Sequence, residues 1–597
     1  IVNETISSSV LSNGTTNALF YIVGDLGVAT DYQSLSYVSL KYPRTTNLNN
    51  NSYGEFYVLN NISQAKIRLD LTNANLTNPS AYVFEGNVPR KIPFVNNSGT
   101  WSGLIPNTTV SQRQKFVISS EDDIISISNL SAVNGTGDFT NYPSFDYENA
   151  YLIITSKALE TSSTEYANYR SSTLGGSHDV ITLYVDELSL QFGGGVPKHI
   201  FGIRRAANLA YNLSTQKPVA LILLGKGIRE ASNPNTSSTG SVRKNSLISS
   251  LNLVPSFGYP SSDVCITNKW NGSASWAPAI PTGRIAARTN QELIGYLNKL
   301  KIYEINQNQN DVYNKPNKEW QKQLLHFGGG GTPGEQSLFK AYLNSYKQTI
   351  ESEYFGGHVT SYFKTTSNPF NPLLTSEVND YLENGVSLMT FFGHATANGF
   401  DQSIDDPENW GNTGKYPIVI GNGCYTGDIF TASNNSASED FVLIDELGAV
   451  GFLSSSKEGF ASQLNLYTSE LYRQMSPLSY GSTFGQQIQN TIDQIEGSNS
   501  SFLIETTVTQ MTLHGDPAMK LNWHANPEID LTVQDVFFQP TQIDLTTDSL
   551  TMNIVLTNLG QSIIDTFNMV VERNFPNSNI DSVYQIQIPR LDYRDTI

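Results

Sequence analysis

The chain has 597 residues, 39% of them hydrophobic, enough for about three or four domains of roughly 150 residues, each with its own core. Its formal net charge of −18 has the wrong sign for a nucleic-acid footprint, and no apolar run is long enough for a membrane-spanning helix. Only two cysteines occur, Cys265 and Cys424, which excludes a disulfide-stapled scaffold. The chain starts at Ile1 without a signal-peptide pattern and stops at Ile597 without an obvious domain terminus, so it reads as part of something longer. Abundant Asn, Ser, Thr and Tyr with few Lys are expected of an exported protein.

Residues 1–147 alternate apolar and polar side chains between turn-forming pairs, as in Glu55-Phe56-Tyr57-Val58-Leu59 and Ala65-Lys66-Ile67-Arg68-Leu69, and predict an antiparallel β-sandwich. From Ala150 the texture changes. Tyr151 to Thr155, Val180 to Val185 and Val219 to Leu224 are continuous apolar runs, suited to strands buried on both faces. Helix-period sequence separates them, from His199 to Tyr211 and from Glu292 to Glu304, the latter behind a Thr289/Glu292 capping box. Alternation of strand and helix predicts an α/β unit with a mainly parallel sheet, here 148–318.

A second α/β series occupies 319–524. Leu324 to Phe327 lead into Gly328 to Gly331, whose Thr332-Pro333-Gly334-Glu335 continuation lacks the lysine of a phosphate loop and predicts a tight turn into a helix from Glu335 to Tyr354. Apolar runs ending at His394 and Cys424, and another from Gly448 to Leu453, complete the series. His514-Gly515-Asp516-Pro517 reads as a compact structural turn near its end. Residues 525–597 alternate again, as in Leu550 to Leu556, and predict an immunoglobulin-like β-sandwich that is incomplete here.

Two segments carry the chemistry. Met389-Thr390-Phe391-Phe392-Gly393-His394-Ala395 and Ile418-Val419-Ile420-Gly421-Asn422-Gly423-Cys424 each run a buried strand into a small-residue turn that presents one reactive side chain. Ligands of open α/β sheets sit beyond such strand ends. An imidazole beside a thiol can take its proton, leaving a thiolate for attack on an acyl carbon and an imidazolium to protonate the leaving amine. Backbone N–H groups of Ala395 and Cys424 are placed to receive the oxyanion. A lone cysteine is ordinarily a small buried hydrophobe, but a core position does not need Gly421, Gly423 and Gly427 around it. Cys265 lacks such a setting and reads as structural, and His326, His358 and His524 read as surface or satisfied core histidines; no His-x-x-x-His or Cys-x-x-Cys spacing offers a zinc site.

With these residues in hand, Tyr147 to Trp523 resembles the gingipain-type cysteine peptidases. Gly393-His394, an aspartate-rich loop from Asp401 to Asp406, Cys424 to Phe430, Ser438-Glu439-Asp440-Phe441 and the Gly448 to Ser456 run follow in the family's order, and Leu224-Gly225, Ser262-Asp263, Thr282 to Ile285 and Lys299 to Glu304 match upstream. Within the family the pattern is most similar to the PorU-type sortases of the bacterial type IX secretion system. The resemblance implies a caspase-like fold of two α/β subdomains, with Cys424 as nucleophile, His394 as base and acid, and Asp263 at a substrate pocket. It implies removal of C-terminal signal domains from secreted cargo at the cell surface, with transfer of the acyl group to a surface glycolipid amine or to water. It further implies an outer-membrane β-barrel docking partner, no cofactor for the chemistry, and calcium as a structural ion.

Two departures qualify the match. Ala395 stands where the family usually has a second glycine, and Gly225-Lys226-Gly227 where a Gly-Asp is usual; Glu439 or Asp428 would then substitute for that acid in orienting the histidine. These departures motivate a second reading, a degenerate peptidase module used in binding or assembly. A third is an adhesin with an inert α/β middle.

Overall fold

The computed structural model describes Ser7 and residues 41–597, apart from 62, 108–112, 128–129, 230–244, 259, 308–314, 367–374, 403, 405, 433–434, 499–500, 545 and 574–581. Asp405 of the aspartate-rich loop therefore lies outside the described residues. The chain divides into two compact units after Ser131.

In the first unit, strands Tyr53–Leu59, Arg113–Ser119, Ser80–Glu85 and Val88–Ile92 form one antiparallel sheet, and Lys66–Leu71, Thr100–Pro106 and Phe94–Asn97 form another. Alternate side chains of both sheets, among them Leu71, Val83, Ile105, Phe116 and Ile118, meet in one core.

The second unit begins earlier than the sequence predicts. Thr140 donates its backbone N–H and its hydroxyl to Glu187, and the Tyr142 hydroxyl reaches the same carboxylate, so 132–147 belongs with the α/β body. That body is built on strands β1 (Tyr151–Thr155), β2 (Val180–Tyr184), β3 (Ala220–Leu224), β4 (Thr282–Ile285), β5 (Gln323–Gly328), β6 (His358–Phe363), β7 (Leu388–Phe392), β8 (Ile418–Asn422), β9 (Gly451–Ser455) and β10 (Met511–Gly515). They form a single sheet in the order β6-β5-β7-β8-β9-β10-β4-β3-β1-β2. Every residue of β1, β3, β7 and β8 is buried, which is what continuous apolar runs between two helical layers require.

The two α/β halves are thus one sheet, joined by a strand that the sequence reading took for a turn. β10 pairs antiparallel with β9 and parallel with β4, so His514 lies inside the sheet, opposite Phe452 on one side and Arg284 on the other. The predicted helices are present with shifted ends, Ile200–Leu213, Asn290–Gln307 and Pro333–Glu351, the last stopping before the predicted Tyr354. Of the expected Thr289/Glu292 box, the Thr289 hydroxyl accepts the Glu292 N–H, but the Glu292 carboxylate turns to the Arg288 N–H.

After 525, strands Ile529–Asp530, Val536–Gln539, Thr551–Asn558 and Arg594–Thr596 form one sheet and Phe567–Arg573 pairs with Ser582–Ile588. Ile554, Leu556, Ile588 and Leu591 make their core. Among the described residues no helix is long and apolar enough to cross a membrane.

Candidate active site

β7 and β8 are adjacent and parallel, with Phe392 opposite Asn422. Pairing continues one step further, since the Gly393 N–H donates to the Asn422 carbonyl at 3.1 Å. His394 and Cys424 each lie two residues beyond that rung, at neighbouring strand ends about 4.8 Å apart in the pairing direction. Small residues allow this approach. A Cβ on Gly423 would stand 2.5 Å from the Ala395 methyl, and one on Gly393 would stand 2.8 Å from Asp401 Oδ1 and 2.9 Å from Gly329 Cα.

Beyond the rung the two chains diverge. After His394 the chain folds into a hairpin in which the Asp401 N–H donates to the His394 carbonyl at 3.0 Å and Ala395 faces Phe400. Residues 394 and 401 form the hydrogen-bonded pair of that ladder. The 395/400 pair is therefore of the other kind, with the Ala395 N–H directed away from its partner strand. After Cys424 the backbone turns sharply, because Tyr425 has φ 66°, a left-handed conformation rare outside glycine. The Tyr425 N–H is then held by the Lys457 carbonyl at 2.9 Å. Cys424 is a free, half-buried thiol whose Sγ accepts the Gly459 N–H at 3.3 Å.

The carboxylate beside the histidine comes from a place the sequence reading passed over. His394 Nε2 lies 3.3 Å from Glu335 Oε1, with the two side chains 59% and 37% exposed. Glu335 is the third residue of the helix Pro333–Glu351 and closes a capping box with Thr332. Its Oε2 takes the N–H groups of Gly331 (2.9 Å) and Thr332 (3.0 Å), which leaves Oε1 turned to the imidazole. Partial burial pulls this carboxyl up, but the imidazole and the two N–H groups outweigh it and hold it below the usual range. The glycine run is the tight turn predicted, and the turn delivers Glu335. It passes under Asp401, which accepts the Gly330 N–H at 2.9 Å and the Lys364 ammonium at 3.2 Å; a Cβ on Gly329 would stand 2.0 Å from Asp401 Oδ1. The legible signal was Thr332-x-x-Glu335, a capping box immediately after a buried strand.

The other acids are committed elsewhere. Glu439 is buried against Lys226 (2.5 Å) and Arg288 (2.8 Å), and Asp428 is paired with Arg229, so neither takes the role of orienting His394 that was expected of it. Lys226 is accordingly the partner of Glu439 and leaves the His394–Glu335 pair intact. Asp263 differs from expectation as well. Both its oxygens are taken at 2.7 Å by Nε and Nη2 of the buried Arg284, so its carboxylate is a structural counter-charge and not a free substrate contact. Cys265 lies near Arg204, which donates to its carbonyl, and burial pushes its thiol up.

His326, His514 and His524 are not candidates for proton transfer at the strand ends. His326 and His514 are buried, and burial pulls each imidazole down to about 3. His514 Nε2 accepts the Ala286 N–H at 3.1 Å, which leaves Nδ1 protonated and facing Ser438. His524 is buried against Gln321 at 3.0 Å. Asp516, read from sequence as part of a structural turn, anchors Arg170, Tyr151 and Tyr166. Among the described residues no three His, Cys, Asp or Glu side chains are grouped to hold a metal ion, so no residue is assigned to calcium.

The model of peptidase family C25 matches residues 145–522 of the chain. Among solved structures, the chain is similar to the Arg-specific cysteine proteinase gingipain R, with 12% identity over 69% of this chain and 84% of that one and a TM-score of 0.47. It is similar to the complex of Porphyromonas gingivalis RgpB pro- and mature domains at 12% identity over 68% and 86%, TM-score 0.47. No curated protein matches the sequence.

Proposed function

From the premise that the chain belongs to peptidase family C25, a family of gingipain-type cysteine peptidases, we propose that it is a cysteine endopeptidase with Cys424 as nucleophile, His394 as base and acid, and Glu335 as the orienting carboxylate. The observation that carries this reading is that His394 and Cys424 each lie two residues beyond the last paired rung of adjacent parallel strands, with Glu335 3.3 Å from the imidazole.

His394 takes the Cys424 proton, and Glu335 stabilises the imidazolium so formed. The Gly459 N–H, already donating to Sγ, fixes the position of the sulfur. Attack on the scissile carbonyl carbon forms a C–S bond and an oxyanion, for which the outward N–H of Ala395 and the N–H of Cys424 are the donors. The imidazolium then protonates the amine as the C–N bond breaks, leaving a thioester. Water or a second amine, deprotonated by His394, resolves it.

The finer reading is a surface sortase of the type IX kind. It cleaves C-terminal signal domains from secreted cargo and passes the acyl group to a glycolipid amine or to water, docked on an outer-membrane β-barrel. The strands before Ser131 and after Pro527 are then β-sandwich modules, the second immunoglobulin-like, that flank the peptidase unit, with calcium as a structural ion.

The test is alkylation of Cys424 by iodoacetamide between about pH 5 and 9, in wild type and in His394→Ala. Reactivity that persists well below the free-thiol pKa of about 8.5 and is lost with His394 is the expected result. An ordinary thiol, indifferent to His394, overturns the peptidase reading. Product analysis with a cargo polypeptide and an added amine then separates transfer from hydrolysis.

A further inference from the structure

The short helix Ala437–Leu443, between β8 and β9, touches both reactive segments. The Ala437 N–H donates to the Ala397 carbonyl at 2.7 Å, within the hairpin that carries His394. The next N–H, that of Ser438, donates to the Thr426 carbonyl at 3.1 Å, in the turn that carries Cys424. Two consecutive donors of one helical turn therefore hold the two loops at a single spacing.

That helix is in turn fixed from the other half of the sheet. Glu439 Oε1 accepts Lys226 Nζ and Arg288 Nη2, while its Oε2 accepts the Ser436 N–H at 3.0 Å. Lys226 follows β3 and Arg288 follows β4, so both cations are delivered by strands across the β10 junction. His514 of β10 reaches Ser438 at 3.0 Å. A buried ion pair contributes little to stability, since pairing barely offsets desolvation, but it fixes geometry, because either partner alone is strongly unfavourable.

We propose that the Lys226–Glu439–Arg288 cluster is the positioning device of the reactive pair: charge from the first half of the sheet fixes the helix Ala437–Leu443, and the helix sets the distance between the Cys424 turn and the His394 hairpin. Lys226 and Glu439 are then positioning residues that act through backbone hydrogen bonds and touch no substrate. The inference rests on the peptidase reading, because it concerns the pairing of thiol and imidazole.

The test uses the whole chain and the same probe, iodoacetamide, with alkylation mapped to Cys424. Glu439→Gln keeps an oxygen for the Ser436 N–H but removes the charge. Its alkylation rate near pH 6 is expected to fall by about tenfold or more, with the apparent thiol pKa moving toward about 8.5, as for a pair displaced by a fraction of an ångström. Lys226→Met, which leaves Arg288 and the cap in place, is expected to shift the profile in the same direction by a smaller amount. Lys226→Arg is expected to restore the wild-type profile within about threefold, a rescue that simple loss of packing does not give. Circular dichroism and a melting curve establish that each variant is folded. If Glu439→Gln does not fold, Lys226→Met decides. A folded variant with an unchanged profile, in a protein whose wild-type thiol responds to His394, overturns the positioning role and leaves the peptidase reading standing. A wild-type thiol that ignores His394 overturns both.

Discussion

His394 and His514 both stand near the carboxyl end of a sheet strand, yet the chain treats them in opposite ways. His394, beyond β7, is more than half exposed and has one carboxylate at 3.3 Å. His514, inside β10, is enclosed, with Nε2 taken by a backbone N–H and Nδ1 facing Ser438. The same division holds for the charges around them. Asp263–Arg284, Lys226–Glu439 and Arg170–Asp516 are buried and closely paired, while Glu335 and His394 meet loosely in solvent. A titratable group held by several fixed partners in a dry site has no freedom to exchange a proton. A group with one flexible partner at a wet strand end does. The proposed chemistry lies where the sheet stops, whereas these three ion pairs are enclosed in the α/β body.

The sharpest break of this comparison is at the strand ends. Cys424→Ala is expected to lower peptide cleavage by at least about 10⁴-fold while leaving the melting curve essentially unchanged, as measured by turnover of a peptide and by calorimetry. Substantial residual turnover would move the nucleophile elsewhere. The junction should respond in the reverse sense. Asp263→Ala strands Arg284 in the interior, and denaturant unfolding should show a loss of about 3–5 kcal/mol. Selective loss of one substrate class, with stability unchanged, would restore Asp263 to the substrate pocket.

Acid sharpens the contrast further. His326 and His514 titrate near 6.5 when unfolded but at about 3 when folded, so the unfolded chain binds more protons between those values. The stability they contribute is complete above about pH 6.5 and is lost as pH falls toward 3. Each should account for about 2 kcal/mol of lost stability between pH 6.5 and 5. Replacing His514 with Gln should flatten the slope of unfolding free energy against pH in that window, and an unchanged slope would mean that His514 is solvated. The smallest effect concerns the exposed pair. Glu335→Gln should cost less than about 1 kcal/mol of stability, because the pair is solvent-screened, and should lower turnover by about tenfold. A mutant as active as wild type would make Glu335 a helix cap and nothing more.

Much of this architecture was legible before any coordinate. Runs such as Ala220 to Leu224 and Ile418 to Ile420 are apolar at every position, which only a doubly covered strand needs, and both are strands of the central sheet. The histidine and cysteine announced themselves because glycines interrupt apolar runs beside them, where backbones must approach within van der Waals contact. Asp263 and Glu439 misled because a carboxylate is read from sequence by type, whereas its availability depends on a cation delivered from far along the chain: Arg284 is 21 residues from Asp263, and Lys226 is 213 from Glu439. Met511 to Gly515 was hidden for a similar reason, since its strand character comes from being inserted between β9 and β4.

By itself, then, the sequence determined the local periodicities, the two candidate side chains and the turns that present them, because these depend on neighbours within a few residues. Only the tertiary structure decided which carboxylate faces the histidine, which ones are neutralised, and that two α/β halves share one sheet. Those outcomes depend on strand order, and strand order is set by burial summed over the whole α/β body and not by any one segment.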